Sequence, residues 1–177
     1  DIYAHDTYFV VTHFHYTLFP DIFFGFFAAF YFWFPKFSGR TLNNTLGHLH
    51  FWLTFVFFNC TWFVLFFNGL AGQHRRIHDY SAFSNFSGGI YQTFEKFSTI
   101  GAICLILTQF IFLINVIMSM SKKKNAVKNP WEATTLEWVA DSPPPHGNFP
   151  VMPEVFRGPY DYSVPGEAKD FLPQNQQ

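Results

Sequence analysis

His5-Asp6-Thr7-Tyr8-Phe9-Val10-Val11-Thr12-His13-Phe14-His15-Tyr16 leads into an apolar, aromatic run from Tyr8 to Phe34 that carries a single formal charge, Asp21. A run of this length exceeds the roughly 20 helical residues that cross a hydrocarbon core of about 30 Å. Two further runs, about Phe51 to Phe67 and Phe97 to Met120, carry no formal charge. All three are apolar around their whole circumference, which is the pattern of membrane spans rather than of amphipathic surface helices. The expected fold is all-α and membrane-embedded, with helices over about 7–35, 46–68 and 90–120. Residues 1–120 then form the transmembrane region and 121–177 an irregular, Pro-rich inner-side extension.

Composition agrees with this reading. With 27 Phe, 23% aromatic and only 13% charged residues, the chain is far from an ordinary soluble balance. The mean hydropathy of +0.09 averages the spans with a polar tail that holds nine of the eleven prolines. A net charge of -1 offers no basic field for nucleic acid. Cys60 and Cys104 both fall inside apolar spans, where a thiol acts as a small hydrophobe, and no disulfide is expected. The start at Asp1-Ile2-Tyr3 shows no Met, charged n-region or cleavage site, so further sequence is expected to precede it.

Basic residues set the orientation. Lys36 and Arg40 follow the first span; Lys122, Lys123, Lys124 and Lys128 follow the third, and helix parity places all six on one side. The other side has Arg75, Arg76 and Lys96. By the positive-inside rule the six mark the cytoplasm or mitochondrial matrix, so the first span enters from the outer side. His5, Asp6, His13, His15, Arg75 and Arg76 therefore cluster toward the outer face. The tail, punctuated by Pro143-Pro144-Pro145 and further Pro to Pro173, cannot be helical throughout.

At 100° per residue, His13 and His15 project about 200° apart, from nearly opposite faces of one helix. They do not readily share a metal. Each is instead placed to ligate a separate centre on its own side, with Phe14 between them in sequence; neutral imidazole is a common axial haem ligand. The competing reading is two histidines hydrogen-bonded to neighbouring helices. Arg75-Arg76 lies where basic residues are disfavoured and calls for anionic partners, carboxylates above all; interface snorkelling is its alternative. His5-Asp6 alone reads as a solvated helix N-terminus capped by Asp6. His48 and His50 are expected to make interface or interior hydrogen bonds, and the aromatic stripe of Phe23, Phe24, Phe26, Phe27, Phe30 and Phe34 to pack rather than to conduct electrons. Asp21 is an expensive mid-span carboxylate, and Pro20 beside it frees a carbonyl one turn earlier and favours a kink.

The run from His5-Asp6-Thr7-Tyr8 to His13-Phe14-His15-Tyr16 resembles the tenth helix of subunit I in the cytochrome c oxidases of the haem-copper superfamily. The resemblance continues through Trp33-Phe34-Pro35, Ser38-Gly39-Arg40, His50-Phe51, Gly69-Leu70-Ala71-Gly72, Arg75-Arg76, Asn129-Pro130-Trp131, Thr135-Leu136-Glu137-Trp138 and Ser142-Pro143-Pro144-Pro145. The Arg157-Gly158-Pro159-Tyr160 and Tyr162-Ser163-Val164-Pro165-Gly166 stretches are similar to bacterial-type subunits that also occur in some protist mitochondria.

The resemblance implies the last three helices of a twelve-helix bundle, in the mitochondrial inner membrane or, alternatively, a bacterial plasma membrane. It implies that His13 is the proximal ligand of haem a3, that His15 is an axial ligand of haem a, and that Phe14 lies between the haems. Arg75 and Arg76 would bind haem propionates, and His5 and Asp6 would match a magnesium site at the boundary with subunit II. Copper B would be nearby, ligated by residues outside this chain. Implied partners are the N-terminal part of subunit I, subunit II with its copper A centre, subunit III, cytochrome c as electron donor, and lipid. The implied activity is proton-pumping reduction of oxygen to water, performed only within that assembly. Quinol oxidase, nitric oxide reductase and a non-catalytic membrane scaffold are the alternatives. Some members bind a structural cation in the region of Asp79, and that possibility stays open.

Overall fold

The computed structural model describes residues 2–79 and 89–176. The described residues are helical, with no strands beyond two isolated bridges, Thr7 with His74 and Tyr162 with Phe171. Three helices are long and apolar enough to cross a membrane: Tyr8–Ser38, Asn44–Leu70 and Ile90–Met120.

The first span is built in three pieces. Thr7 caps α1 (Tyr8–Phe19), its hydroxyl accepting from the Phe9 amide at 3.2 Å. Pro20 brings no amide donor, and the chain answers with a π-helical turn over Pro20–Phe24, closed where the Gly25 amide reaches back to the Pro20 carbonyl. The kink favoured by Pro20-Asp21 is thus resolved as a widened turn. Next, α2 (Gly25–Ser38) runs through Pro35 rather than ending near residue 35. Pro35 sits so close to the helix end that it gives up one backbone donor, while the Ser38 hydroxyl donates to the Phe34 carbonyl at 2.6 Å. Gly39, at φ 67°, then stops the helix in a left-handed conformation that a side chain would resist.

The second span, α3 (Asn44–Leu70), starts at its cap Asn43, whose side chain accepts from the Leu46 amide at 3.0 Å. The connection expected between about 35 and 46 therefore shrinks to residues 39–43. The third, α4 (Ile90–Met120), begins at the expected residue 90 and takes Glu95 and Lys96 into its first turns. Of the connection expected between about 68 and 90, residues 80–88 lie outside the described residues.

Two compact units divide the chain. The first comprises Asp1–Ala28 with Asn43–Asn115. In it α3 and α4 meet along a polar seam: His50 bonds Gln109 at 3.1 Å, the Thr54 and Thr108 hydroxyls lie 3.4 Å apart, and the Asn43 amide donates to Asn115 at 2.8 Å. Near its middle the Ser98 hydroxyl donates to the Thr61 carbonyl at 2.6 Å. Gly101 permits this approach, because a Cβ there would stand 2.9 Å from the Thr61 amide nitrogen. Small and polar residues let helix backbones close up in a membrane, where apolar contact alone gives no preference over lipid.

The second unit comprises Ala29–Leu42 and Val116–Gln177. The tail is irregular except for α5 (Leu136–Val139), in keeping with its prolines. Trp138, 1% exposed, packs edge-on to Phe32 at 5.1 Å, and the Trp131 indole donates to the Phe32 carbonyl at 2.9 Å. Lys36 is buried beneath this layer, donating to the Ala140 carbonyl at 2.7 Å with its ammonium 4.9 Å from the Trp138 ring. Arg40 donates to the Lys122 carbonyl at 2.9 Å. The end of the first span and the start of the tail therefore lie together, which fits the parity argument.

Candidate functional site

α1 presents the histidines, and its seating on α3 decides their surroundings. Gly69 is where the two helices touch: a Cβ there would fall 2.0 Å from the Phe9 amide nitrogen. Below it Phe9 meets Phe66 edge-on at 4.9 Å, Thr12 is fully buried, and the Tyr16 hydroxyl donates to Asn59 at 2.7 Å. These contacts fix the rotation of α1 about its axis. His13 and His15 then leave on different sides, as their spacing predicts.

The two imidazoles differ sharply. His15 is half-buried, its Nδ1 lies 2.7 Å from the Val11 carbonyl, and its ring stacks on Trp62 at 3.5 Å with an interplanar angle of 16°. A carbonyl can only accept, so Nδ1 carries the proton and Nε2 keeps its lone pair. That is how a metal-ligating histidine is commonly held, with the second nitrogen fixing tautomer and ring orientation. His13 is exposed and its ring has no hydrogen-bond partner among the described residues. Phe14, 38% exposed, packs its ring 4.3 Å from that of His15. Among the described residues no three His, Cys, Asp or Glu side chains gather as one metal cluster. Each histidine thus stands apart from the other potential ligand side chains, His15 with its ring oriented by Val11 and Trp62 and His13 with its ring open.

The outer segment joins residues that the sequence leaves apart. The Arg75 amide donates to the Asp6 carbonyl at 2.9 Å, and the Tyr8 amide to the Gln73 carbonyl at 3.0 Å. Across this pairing, Arg75 Nε and Nη2 converge on Asp6 Oδ1 at 2.8 and 2.6 Å, while Asp6 Oδ2 lies 3.3 Å from His5 Nε2. The hydrogen bond from Arg75 holds the Asp6 carboxyl below its ordinary value, with help from the charges of His5, Arg75 and Arg76. Arg76 is exposed, its backbone in the left-handed region at φ 63°. Asp6 is therefore one of the anions that Arg75-Arg76 calls for. The cue was available: a basic pair on the disfavoured side, and one acid predicted to share that side.

Trp62 was not singled out from the sequence, nor was the polar seam, although Thr54, Thr61 and Asn68 recur every seven residues along α3. His50, 2% exposed, is an interior hydrogen-bonding histidine that also meets Phe27 edge-on at 4.6 Å, whereas His48 is exposed. The phenylalanines pack, Phe19 stacking on Phe23 at 4.5 Å and Phe27 meeting Phe112 at 4.8 Å. Asp21 projects outward from the π-helical turn. Cys60 and Cys104 are free thiols.

A family model described as cytochrome c and quinol oxidase polypeptide I matches residues 1–104. The chain is 45% identical over 170 residues to cytochrome c oxidase subunit 1 of Synechocystis sp., which is 96% of this chain and 30% of that protein. It is 44% identical over 164 residues to cytochrome c oxidase subunit 1 of Thermostichus vulcanus, covering 93% of this chain and 28% of the relative. It is also 40% identical over 178 residues to an alternative cytochrome c oxidase subunit 1 of Bradyrhizobium diazoefficiens, covering 99% and 30%. The chain thus spans less than a third of the length of these relatives.

Proposed function

The chain belongs to the cytochrome c and quinol oxidase polypeptide I family, and from that membership we propose that it is the haem-ligating C-terminal segment of the catalytic subunit of a cytochrome c oxidase. The observation that carries this reading is the pair His13 and His15 on α1, with His15 Nδ1 held on the Val11 carbonyl so that Nε2 would be the ligating atom. In the assembled enzyme His13 would hold haem a3 and His15 haem a. Bound there, the haems supply electron transfer and, with a copper held by residues outside this chain, the reduction of oxygen to water coupled to proton translocation.

The chain's own residues prepare that site. The Trp62 face limits rotation of the His15 ring, and the Val11 carbonyl holds its tautomer and orientation. Phe14 leaves from the helix between the two histidines and fills that sector with an apolar ring. Arg75 and Arg76 would face haem propionates, Arg75 already being anchored by Asp6 and Arg76 exposed. His5 Nε2 and Asp6 Oδ2 fit two ligands of a magnesium ion whose remaining ligands would come from water and a second subunit. The cytochrome c type is preferred over quinol oxidase because relatives at 40–45% identity carry that name. The further partners are the rest of subunit I, subunits II and III, and cytochrome c. The membrane is that of a mitochondrion or a bacterium.

The test is optical spectroscopy of the assembled oxidase. His15→Ala should remove the low-spin haem a signature while high-spin haem a3 persists, and His13→Ala should do the converse and abolish oxygen reduction. Both haems retained with native ligation in both variants would overturn the assignment.

A further inference from the structure

The first span ends on a buried cation that no anion answers. Lys36 is 8% exposed, and its ammonium donates to the Ala140 carbonyl at 2.7 Å and to the Lys128 carbonyl at 3.4 Å. Two of its three N–H groups are thereby directed, both to neutral acceptors. Among the described residues no carboxylate pairs with it. The Trp138 ring against which it lies is itself buried with its indole N–H unmet. An ammonium taken out of water and held by carbonyls alone is costly until a counter-charge reaches it.

Lys36 lines an open cavity of about 300 Å³ together with Glu137, Ala140, Pro144, Asn148 and Phe149. That volume is at the small end of the range, about 300 to 1,000 Å³, that holds small ligands. The polar groups of this cavity are not spent on one another. Glu137 takes the Trp33 indole N–H on Oε1 at 3.4 Å and forms no ion pair among the described residues. The Asn148 side-chain amide likewise bonds nothing among them. One cation, one anion and one free amide therefore border the same space, with Pro144 and Phe149 as its apolar wall. Trp33 and Trp131, both exposed at this end of the span, are the residues that favour the membrane–water boundary.

We propose that this cavity binds the headgroup of an aminophospholipid, with the lipid phosphate on Lys36 and its primary ammonium on Glu137. Two unpaired charges of opposite sign select a zwitterion. A headgroup that is only anionic would answer Lys36 and leave Glu137 facing a like charge, whereas a quaternary ammonium has no N–H to donate to the Glu137 carboxylate or the Asn148 carbonyl. The boundary position selects a membrane lipid over a free phosphate ester as the source. The lipid would hold the start of the tail against the end of the first span by filling the gap between Lys36 and α5.

The experiment uses the assembled membrane complex, purified free of aminophospholipid and titrated with short-chain phosphatidylethanolamine, phosphatidylcholine or phosphatidylglycerol, or with free phosphoethanolamine. A saturable rise of the thermal unfolding midpoint is expected with phosphatidylethanolamine, a few degrees above that with the other three. This excess should vanish in Lys36→Met, and in Glu137→Gln the response should drop to that of phosphatidylglycerol. Equal responses to the three lipids, or an excess that either variant leaves intact, would overturn the proposal, and a full response to free phosphoethanolamine would overturn the membrane source. If Lys36→Met fails to assemble, a density map of the wild-type complex in phosphatidylethanolamine decides: a headgroup between Lys36 and Glu137 supports the site, and a cavity holding only water refutes it.

Discussion

Arg75 places two donors, Nε at 2.8 Å and Nη2 at 2.6 Å, on the single oxygen Oδ1 of Asp6. This leaves Oδ2 turned to His5, so one carboxylate serves both residues. Two groups that the sequence separates by 69 positions thus behave as one electrostatic unit.

The Asp6 carboxyl is held below its ordinary value chiefly by that hydrogen bond. A depressed carboxyl stabilises the fold above the unfolded value, about 3.9, and this contribution is lost as pH falls through the lower folded value. Protection of the Arg75 amide in the complex, taken relative to its intrinsic exchange rate at each pH, should therefore stay high at neutral pH and fall only in that acid window. Asp6→Asn should exchange faster at neutral pH and show no such window. An unchanged acid profile in the variant would mean that Asp6 does not hold this segment.

Trp62 stacks on His15 at 3.5 Å. Trp62→Leu removes a ring contact worth about 0.5 to 1.5 kcal/mol beyond its burial. In the assembled oxidase it should broaden or shift the low-spin haem band and leave the high-spin band alone. Equal changes in both bands would place Trp62 outside the His15 environment.

Gly69 and Gly101 should tolerate no side chain without movement. A Cβ at Gly69 would meet backbone of α1 at 2.0 Å, and one at Gly101 would meet backbone of α3 at 2.9 Å. Overpacking of this kind costs about 1 to 3 kcal/mol. Thermal unfolding of the complex should fall in both variants, and Gly69→Ala should in addition lower haem content, because it displaces the helix that carries both histidines. Full haem content in a destabilised Gly69→Ala complex would separate the contact from the site.

Residues 1–177 expressed without partners should neither hold two haems nor consume oxygen. His13 is exposed and His15 half-buried, and no copper-ligand cluster gathers among the described residues. Exposed polar groups at that depth in lipid are costly. Stable uptake of two haems with oxygen consumption would refute the expectation.

The three spans were legible because length and apolar content alone define them. Their ends were less so: Pro35 reads as a stop, yet the helix passes it by sacrificing one donor, and the Asn43 cap starts α3 before the apolar run begins. The opposite projection of His13 and His15 follows from the helical period. What the sequence does not display is the partner of each side chain. Trp62 is one aromatic among many until α3 brings it against His15. The α3–α4 seam is hard to see because Thr and Ser count little against so many Phe, although their spacing carries the information. The Asp6–Arg75 pair needed a turn after α3 to close back on the residues before α1.

The π-helical turn at Pro20–Phe24 also changes how mutations along the first span should be compared. One added residue per turn advances everything beyond it by roughly one residue's angle, about 100°. A uniform helical wheel drawn from Tyr8 onward therefore assigns the wrong neighbours to positions past Phe24. Deleting a single residue from this turn would restore the even winding and rotate the residues before it against those after it. Such a deletion would act as a phase error for His13 and His15 while leaving both side chains in place.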